Sequence, residues 1–229
     1  MNLKKLLLLC TFTILFFPAS TEARSPMPDI SADSRSFDLR SGEWILEGNV
    51  VVRSADWVAR ADRIRVHPTR LNVSASGNVR LDWQDLSISA DQAVYDPTNE
   101  IAQVNGNIEL FYDDVRVTAT SGTYNARLKQ ADLFGTEESP ASLYPGAGGF
   151  LRGPGIHYDV QTGQANFSNG LTFQLFKRGS GQGISGTSTN GIYSVPDEKV
   201  ELYGFVSYHQ IPASSEEKKE TSSLSFSSK

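Results

Sequence analysis

The sequence predicts an all-β fold, a single antiparallel sheet of about six hairpin repeats folded over on itself. Three observations lead there. Gly-Asn-Val at Gly48 recurs at Gly77, Gly-Asn-Ile follows at Gly106, and a degenerate Gly-Thr-Glu sits at Gly135, all 29 residues apart. Apolar residues alternate with period two between these points, the mark of strands with one buried face. Polar turn signals such as Asp96-Pro97-Thr98-Asn99 separate the alternating runs.

The repeat holds in two further columns. One is Ala32-Asp33, Ala61-Asp62, Ala90-Asp91 and Ala119-Thr120. The other, four residues beyond each Asp or Thr, is Phe37, Val66, Tyr95 and Tyr124. Three columns in register over four copies define a supersecondary unit. Tyr158 with Gly170 and Tyr193 with Gly204 extend the pattern to six units. Residues 136–151, rich in Pro and Gly, read as an inserted loop between units four and five.

Within one unit, Leu86, Ile88 and Ala90 form one leg and Ile108, Leu110 and Tyr112 the other. Pairing about Asp96-Pro97-Thr98-Asn99 sets Tyr95 opposite Ile101, Ala90 opposite Gly106, Ile88 opposite Ile108 and Leu86 opposite Leu110. Pairing about Asp113-Asp114 sets Tyr112 opposite Val115, Leu110 opposite Val117 and Ile108 opposite Ala119. Both registers keep the same residues on one face, and a one-residue slip inverts every side chain.

The Ala-Asp and Gly-Asn columns then lie side by side across the strands. Glycine within a strand marks a bulge or bend. Asp33, Gly48, Asp62, Gly77, Asp91 and Gly106 are therefore the expected crease, with the Asp side chains bonding backbone there rather than a metal. Folding along it makes two facing leaves. The first should present Val50, Val52, Ala61, Val79, Leu81, Ile88, Ala90, Ile108, Leu110, Val117 and Ala119 inward. The second should present Trp44, Leu46, Val73, Ala75, Ala102, Val104, Ala131 and Leu133.

The ends bracket this domain, placed at 24–211. Lys4 and Lys5, an apolar run from Leu6 to Phe17, and Thr21-Glu22-Ala23 read as a cleaved signal peptide over 1–23. The run is short of the roughly 20 residues of a spanning helix. Cys10 sits inside it behind three leucines, unlike a lipidation site. Cleavage removes this sole cysteine, and with it disulfide chemistry. Lys4, Lys5 and Glu22 leave too, taking the formal charge from −5 to −6. An acidic chain argues against nucleic acid as a partner. Residues 212–229, mostly Ser, Glu and Lys, read as a disordered tail.

Enzyme signatures are missing. His67, His157 and His209 share no metal-ligand spacing, no Gly-x-Ser-x-Gly turn occurs, and the glycines of 146–155 lack a following Lys-Ser/Thr. The residues point to no cofactor, no metal and no catalytic group. The inward stripe fits either a filled core or an apolar trough.

Ile88-Ser-Ala-Asp-Gln-Ala-Val-Tyr-Asp96 followed by Val104-Asn-Gly-Asn-Ile-Glu-Leu110 resembles the OstA-like repeat of the periplasmic lipopolysaccharide-export proteins (LptA, LptC and the N-terminal domain of LptD). Asp62 with Gly77-Asn-Val and Ala32-Asp33 with Gly48-Asn-Val match the same pattern. The likeness covers Ile30 to Phe134 well and Arg152 to Tyr208 loosely. It implies an incomplete β-jellyroll in the periplasm, with lipopolysaccharide acyl chains held by Leu46, Val50, Val52, Val79, Leu81, Ile88, Val104, Ile108, Leu110 and Val117. It also implies partners: an inner-membrane LptC-type and an outer-membrane LptD-type protein joined by edge-strand pairing, with head-to-tail self-association open. The strands near Ile30 and Leu202 to Tyr208 are the expected edges. A soluble bridge fits the signal and length. Tyr158 and Arg152-Gly-Pro-Gly resemble the membrane-anchored LptC-type relative, which stays open, as does a structural scaffold without lipid.

Overall fold

A computed structural model describes residues 29–213 apart from 56, 68, 70, 71, 84, 85, 97, 113 and 180. The expected signal peptide, 1–23, and nearly all of the expected tail lie outside the described residues.

The described residues form one sheet of sixteen antiparallel strands and no helix. β1 (Asp29–Ser31) and β2 (Ser34–Asp38) both pair with β3 (Glu43–Arg53). Hairpin order then runs through β4 (Trp57–Val66), β5 (Val73–Trp83), β6 (Leu86–Asp96), β7 (Ile101–Tyr112) and β8 (Val115–Asn125). At β8 the sheet forks. The first half of β8 pairs with β10 (Ala141–Tyr144), and this branch continues through β11 (Gly149–Gly153) and β14 (Leu171–Phe176). The second half pairs with β9 (Gln130–Phe134), continuing through β12 (Gly155–Asp159) and β13 (Gln164–Phe167). Both branches rejoin on β15 (Gly183–Ser194), which carries the edge strand β16 (Lys199–Ile211). Where the chain looks fragmented, one long strand is interrupted at the crease. Joining β1 to β2, β9 to β10, β11 to β12 and β13 to β14 restores six hairpins.

The two halves of the strands are two leaves of a folded sheet. Ile108, Val117 and Leu143 from one side of the crease bury in the same cluster as Leu133, Ile156 and Ala165 from the other. The result is an incomplete β-jellyroll.

The crease is a β-bulge repeated in register. Pairing slips between Glu47 and Val50, Ser76 and Val79, and Asn105 and Ile108. Each slip contains a Gly-Asn pair with both residues at positive φ, for example 72° at Gly77 and 47° at Asn78. Such an extra residue bends its strand. On the facing strand the inward phase changes: Ala61 is buried and so is Ile64, while Asp62 between them is exposed. The Asp carboxylates accept from the Asn side chains. Asn49, Asn78 and Asn107 Nδ2 donate to Asp33, Asp62 and Asp91 Oδ2 at 2.8, 2.9 and 3.0 Å. The expectation that these carboxylates bond backbone is corrected here. A left-handed Asn turns its amide toward the neighbouring strand, so the nearest donor is a side chain.

Gly77 has a second reason to be glycine. A Cβ there would lie 2.3 Å from Asp62 Oδ2. Gly77→Ala is expected to cost about 1–3 kcal/mol through backbone strain and this clash. A lowered chemical-denaturation midpoint checks it, and an unchanged midpoint contradicts it.

Four of the second-leaf turns share one design. Asp38, Asp96, Asn125 and Asp159, each one residue after the aromatic column, accept from backbone N–H groups two or three residues on, as in Thr98 N to Asp96 Oδ1 at 2.9 Å. These Asx turns are locally favoured. The bonds outweigh burial and hold the Asp96 carboxyl below its usual range, Asn99 being the largest contributor. Four-residue loops end on a left-handed residue: Gly42, Glu100, Lys129, Gly163 and Glu198.

That geometry corrects one expected register. Glu100 belongs to the turn, so Asp96 pairs with Ile101 and Tyr95 with Ala102. Past the bulge the offset grows by one more, and Ile88 meets Leu110 and Leu86 meets Tyr112. The register across Asp113-Asp114 is as expected, with Tyr112 opposite Val115, Leu110 opposite Val117 and Ile108 opposite Ala119. The inserted loop 136–151 is also corrected. Only 135–140 and 145–148 are turns or loops, and β10 and part of β11 lie within it. Ala141, Leu143 and Leu151 are among the least exposed residues described, at 0, 2 and 0%. Its prolines and glycines serve the break at the crease and a turn.

Candidate functional site: an apolar trough between the leaves

Two cavities lie between the leaves. One, with about 940 Å³ of empty space open to solvent, is lined by Trp57, Ile64, Val73, Val79, Leu81, Trp83, Ile88, Tyr95 and alanines among others, with Arg60 and Arg80 touching it. The other, about 1030 Å³ on the same basis, is lined by Leu86, Ile108, Leu110, Val115, Val117, Leu133, Ile156 and Tyr158 among others. Ile88, Ala102 and Val104 belong to both walls, so the two spaces adjoin along an apolar trough over units two to four, closed on one side by Ile156, Tyr158, Ala165 and Val195 of units five and six. Small Ala side chains at 59, 75, 93, 102 and 131 leave the width, and branched residues opposite supply apolar walls.

The trough is bounded at both ends by filled core. Toward β15, Leu143, Leu151, Phe167 and Phe173 pack to between 0 and 2% exposure. Toward β1, Leu46, Val50 and Val52 pack under Ile30 and Ala32. Phe37 and Trp44 stack at 5.1 Å between ring centroids on the outermost pair of strands at that end. Trp44 was expected to face the interior, yet it is 49% exposed because no further strand covers this last row.

Polar chemistry inside is sparse. Burial pushes the Tyr158 phenol up to about 12, with neighbouring Tyr112 and Asp159 adding to it. Tyr193 is likewise pushed up to about 12, by burial and then by Glu198 and Asp114. Both rings therefore stay neutral at ordinary pH. Trp83 Nε1 is buried with no hydrogen-bond partner among the described residues. At the rim, Arg178 in the β14–β15 turn reaches Asp114 at 2.9 Å and Glu198 at 3.0 Å. Asp114 sits on the first-leaf rim and Glu198 on the second, so this pair of ion contacts spans the mouth beside the filled end. No group of three or more His, Cys, Asp or Glu side chains that would hold a metal occurs among the described residues.

Seven of the residues singled out from the sequence, Val79, Leu81, Ile88, Val104, Ile108, Leu110 and Val117, stand on the cavity walls. Leu46, Val50 and Val52 do not; they are core at the β1 end. Sequence reasoning missed Ile156, Tyr158, Ala165 and Val195 as wall residues. Tyr158 was in the aromatic column, and that column, followed through units four and five, was the available signal.

The family model described as LptA/(LptD N-terminal domain) LPS transport protein matches residues 29–164, more than half of the chain. No curated protein sequence matches. Among solved structures, LptH, the LptA homologous periplasmic component of the lipopolysaccharide transport device of Pseudomonas aeruginosa, is similar over 62% of this chain and 81% of that one. Identity is 14% and the TM-score 0.27. The family match covers the creased repeats from β1 to the start of β13, and on it the chain belongs to the LptA/LptD N-terminal domain family of lipopolysaccharide-transport proteins.

Proposed function

We propose that this protein is a periplasmic carrier in lipopolysaccharide export, bridging inner and outer membranes with acyl chains in the trough between its leaves. The observation that carries the reading is the pair of adjoining, almost wholly apolar cavities between the leaves. Removing acyl chains from water there contributes about 0.8 kcal/mol per buried CH₂. The buried Trp83 N–H can donate to an ester or hydroxyl oxygen that enters with a chain. No covalent step is needed.

Handover would run through the sheet edges. β2 pairs only with β3, and β16 only with β15, so each end offers an unpaired strand to an LptC-type or LptD-type neighbour, or to a second copy. β16 is solvent-exposed along most of its length, with Tyr203, Phe205 and Tyr208 at 45, 79 and 63%. Strand addition there would cover these rings.

A photocrosslinker walk tests the reading. Placed at Ile88 or Leu110, on the wall, the crosslinker is expected to capture lipopolysaccharide. Placed at Asp82 or Glu109, on the outer face and lining neither cavity, it is expected to give little product. Equal capture at both pairs would contradict a trough and favour a scaffold without lipid.

A further inference from the structure

The outer surface of the first leaf carries Arg60, Arg80 and Asp82 as mutual ion pairs on β4 and β5, Ser87 and Ser89 on β6, and a strip of rings and arginines close to the rim. Phe111, Arg116, Tyr144 and Phe150 follow one another across four neighbouring strands, β7, β8, β10 and β11, with Arg152 one row away. All five alternate with inward residues such as Leu110, Val117, Leu143 and Leu151, so they lie outside the trough. The guanidinium of Arg152 lies 4.0 Å from the Phe150 ring centroid, and that of Arg116 lies 5.1 Å from the Tyr144 centroid. Arg152 also donates to the Tyr144 hydroxyl at 3.4 Å. Despite partial burial, that bond and charge draw the phenol below its ordinary pKa.

The charges are not balanced. Glu109 pairs with Arg116 at 2.7 Å. Arg152 has no carboxylate within 4.0 Å among the described residues, and its Nε is buried without a hydrogen-bond partner. The cluster therefore carries surplus positive charge on an acidic chain. Ring contacts, with the Tyr144 hydroxyl for Arg152 and Glu109 for Arg116, hold both guanidiniums in place, and a guanidinium favours bidentate contact with an oxyanion. Phe111 is 44% exposed and leaves a ring beside them for the apolar face of a sugar.

We propose that this strip binds a phosphorylated hexose, with Arg116 and Arg152 donating to the phosphate and Phe111 packing on the sugar ring. The proposal rests on the reading that acyl chains occupy the trough, because a headgroup emerging at the mouth reaches the strip by crossing the first-leaf rim. Phe111 and Arg116 flank the β7–β8 turn, and Tyr144 and Phe150 flank the β10–β11 turn. The same phosphate–sugar chemistry is available from a free sugar phosphate, and the test separates these sources.

The experiment uses the full mature chain, isotopically labelled, titrated with a deacylated glucosamine disaccharide carrying two phosphates. Parallel titrations use the same disaccharide without phosphate, glucosamine 1-phosphate and inorganic phosphate. Saturable amide shifts centred on residues 111, 116, 144, 150 and 152 are expected with the bisphosphorylated disaccharide, and none with the unphosphorylated one. The Arg116→Gln/Arg152→Gln variant is expected to weaken binding by at least about tenfold. Arg152→Lys, which keeps the charge but not the planar guanidinium, should fall between. Binding of glucosamine 1-phosphate as tight as that of the disaccharide would assign the strip to free sugar phosphates and overturn the headgroup source. Equal binding of inorganic phosphate, shifts centred elsewhere, or shifts indifferent to the arginines would overturn the site altogether. Acyl capture at Ile88 is followed in the same variants. Capture retained without disaccharide binding sinks the strip alone, and disaccharide binding without capture in the parent chain sinks the trough alone.

Discussion

Phe173→Ala is expected to lower the unfolding free energy by about 3–5 kcal/mol, the usual range for emptying a fully buried aromatic site. Phe173 is 0% exposed and lies with Leu143, Leu151 and Phe167, also nearly sealed. This cluster joins the two branches of the forked sheet before they meet on β15. The loss is read as the shift in denaturation midpoint at constant m-value. If the variant instead stays within about 1 kcal/mol of the parent, the β15 end is not a packed plug, and the trough would run through it.

Ala102→Phe is expected to abolish most lipid binding while leaving the fold intact. Ala102 lies on both cavity walls, at their junction. A phenyl ring there displaces about four methylenes of any acyl chain, which is about 3 kcal/mol or roughly a hundredfold in affinity. The ring enters existing space, so the overpacking penalty of a filled core does not apply in full. Affinity for lipopolysaccharide, measured beside thermal unfolding of the ligand-free variant, separates the two effects. Unchanged affinity would place the acyl chains elsewhere.

Much of the fold was legible because the repeat reports backbone geometry directly. Gly-Asn recurs where both residues must take positive φ, and the Asp opposite recurs because its carboxylate accepts the Asn amide. The two-residue link at Asp113-Asp114 leaves little freedom, and its register was readable to the residue. The Tyr95–Ala102 register was not, because a left-handed Glu100 has no compositional sign. Residues 136–151 misled for a different reason. Pro140, Pro145 and three glycines are turn signals in ordinary contexts, but here short strands lie between them, and Leu143 and Leu151 lack the length of alternating sequence that identifies a strand. The trough was legible as a stripe of inward residues, not as a space. Whether such a stripe closes on itself depends on what faces it. Phe173 and Phe167 fill the core of unit five away from the cavity wall, whereas the alanines at 93, 102 and 131 do not fill units three and four.

The protein's three tryptophans offer the most direct test of acyl chains in the trough. Trp57 and Trp83 lie on the cavity wall at 9 and 5% exposure, and Trp44 lies outside it. In a Trp44→Phe chain, lipopolysaccharide brominated on its acyl chains is expected to quench the remaining fluorescence saturably, while unmodified lipopolysaccharide bound equally well leaves it bright. Saturable binding of the brominated lipid with no quenching would contradict the account, since the chains would then lie away from the space between the leaves.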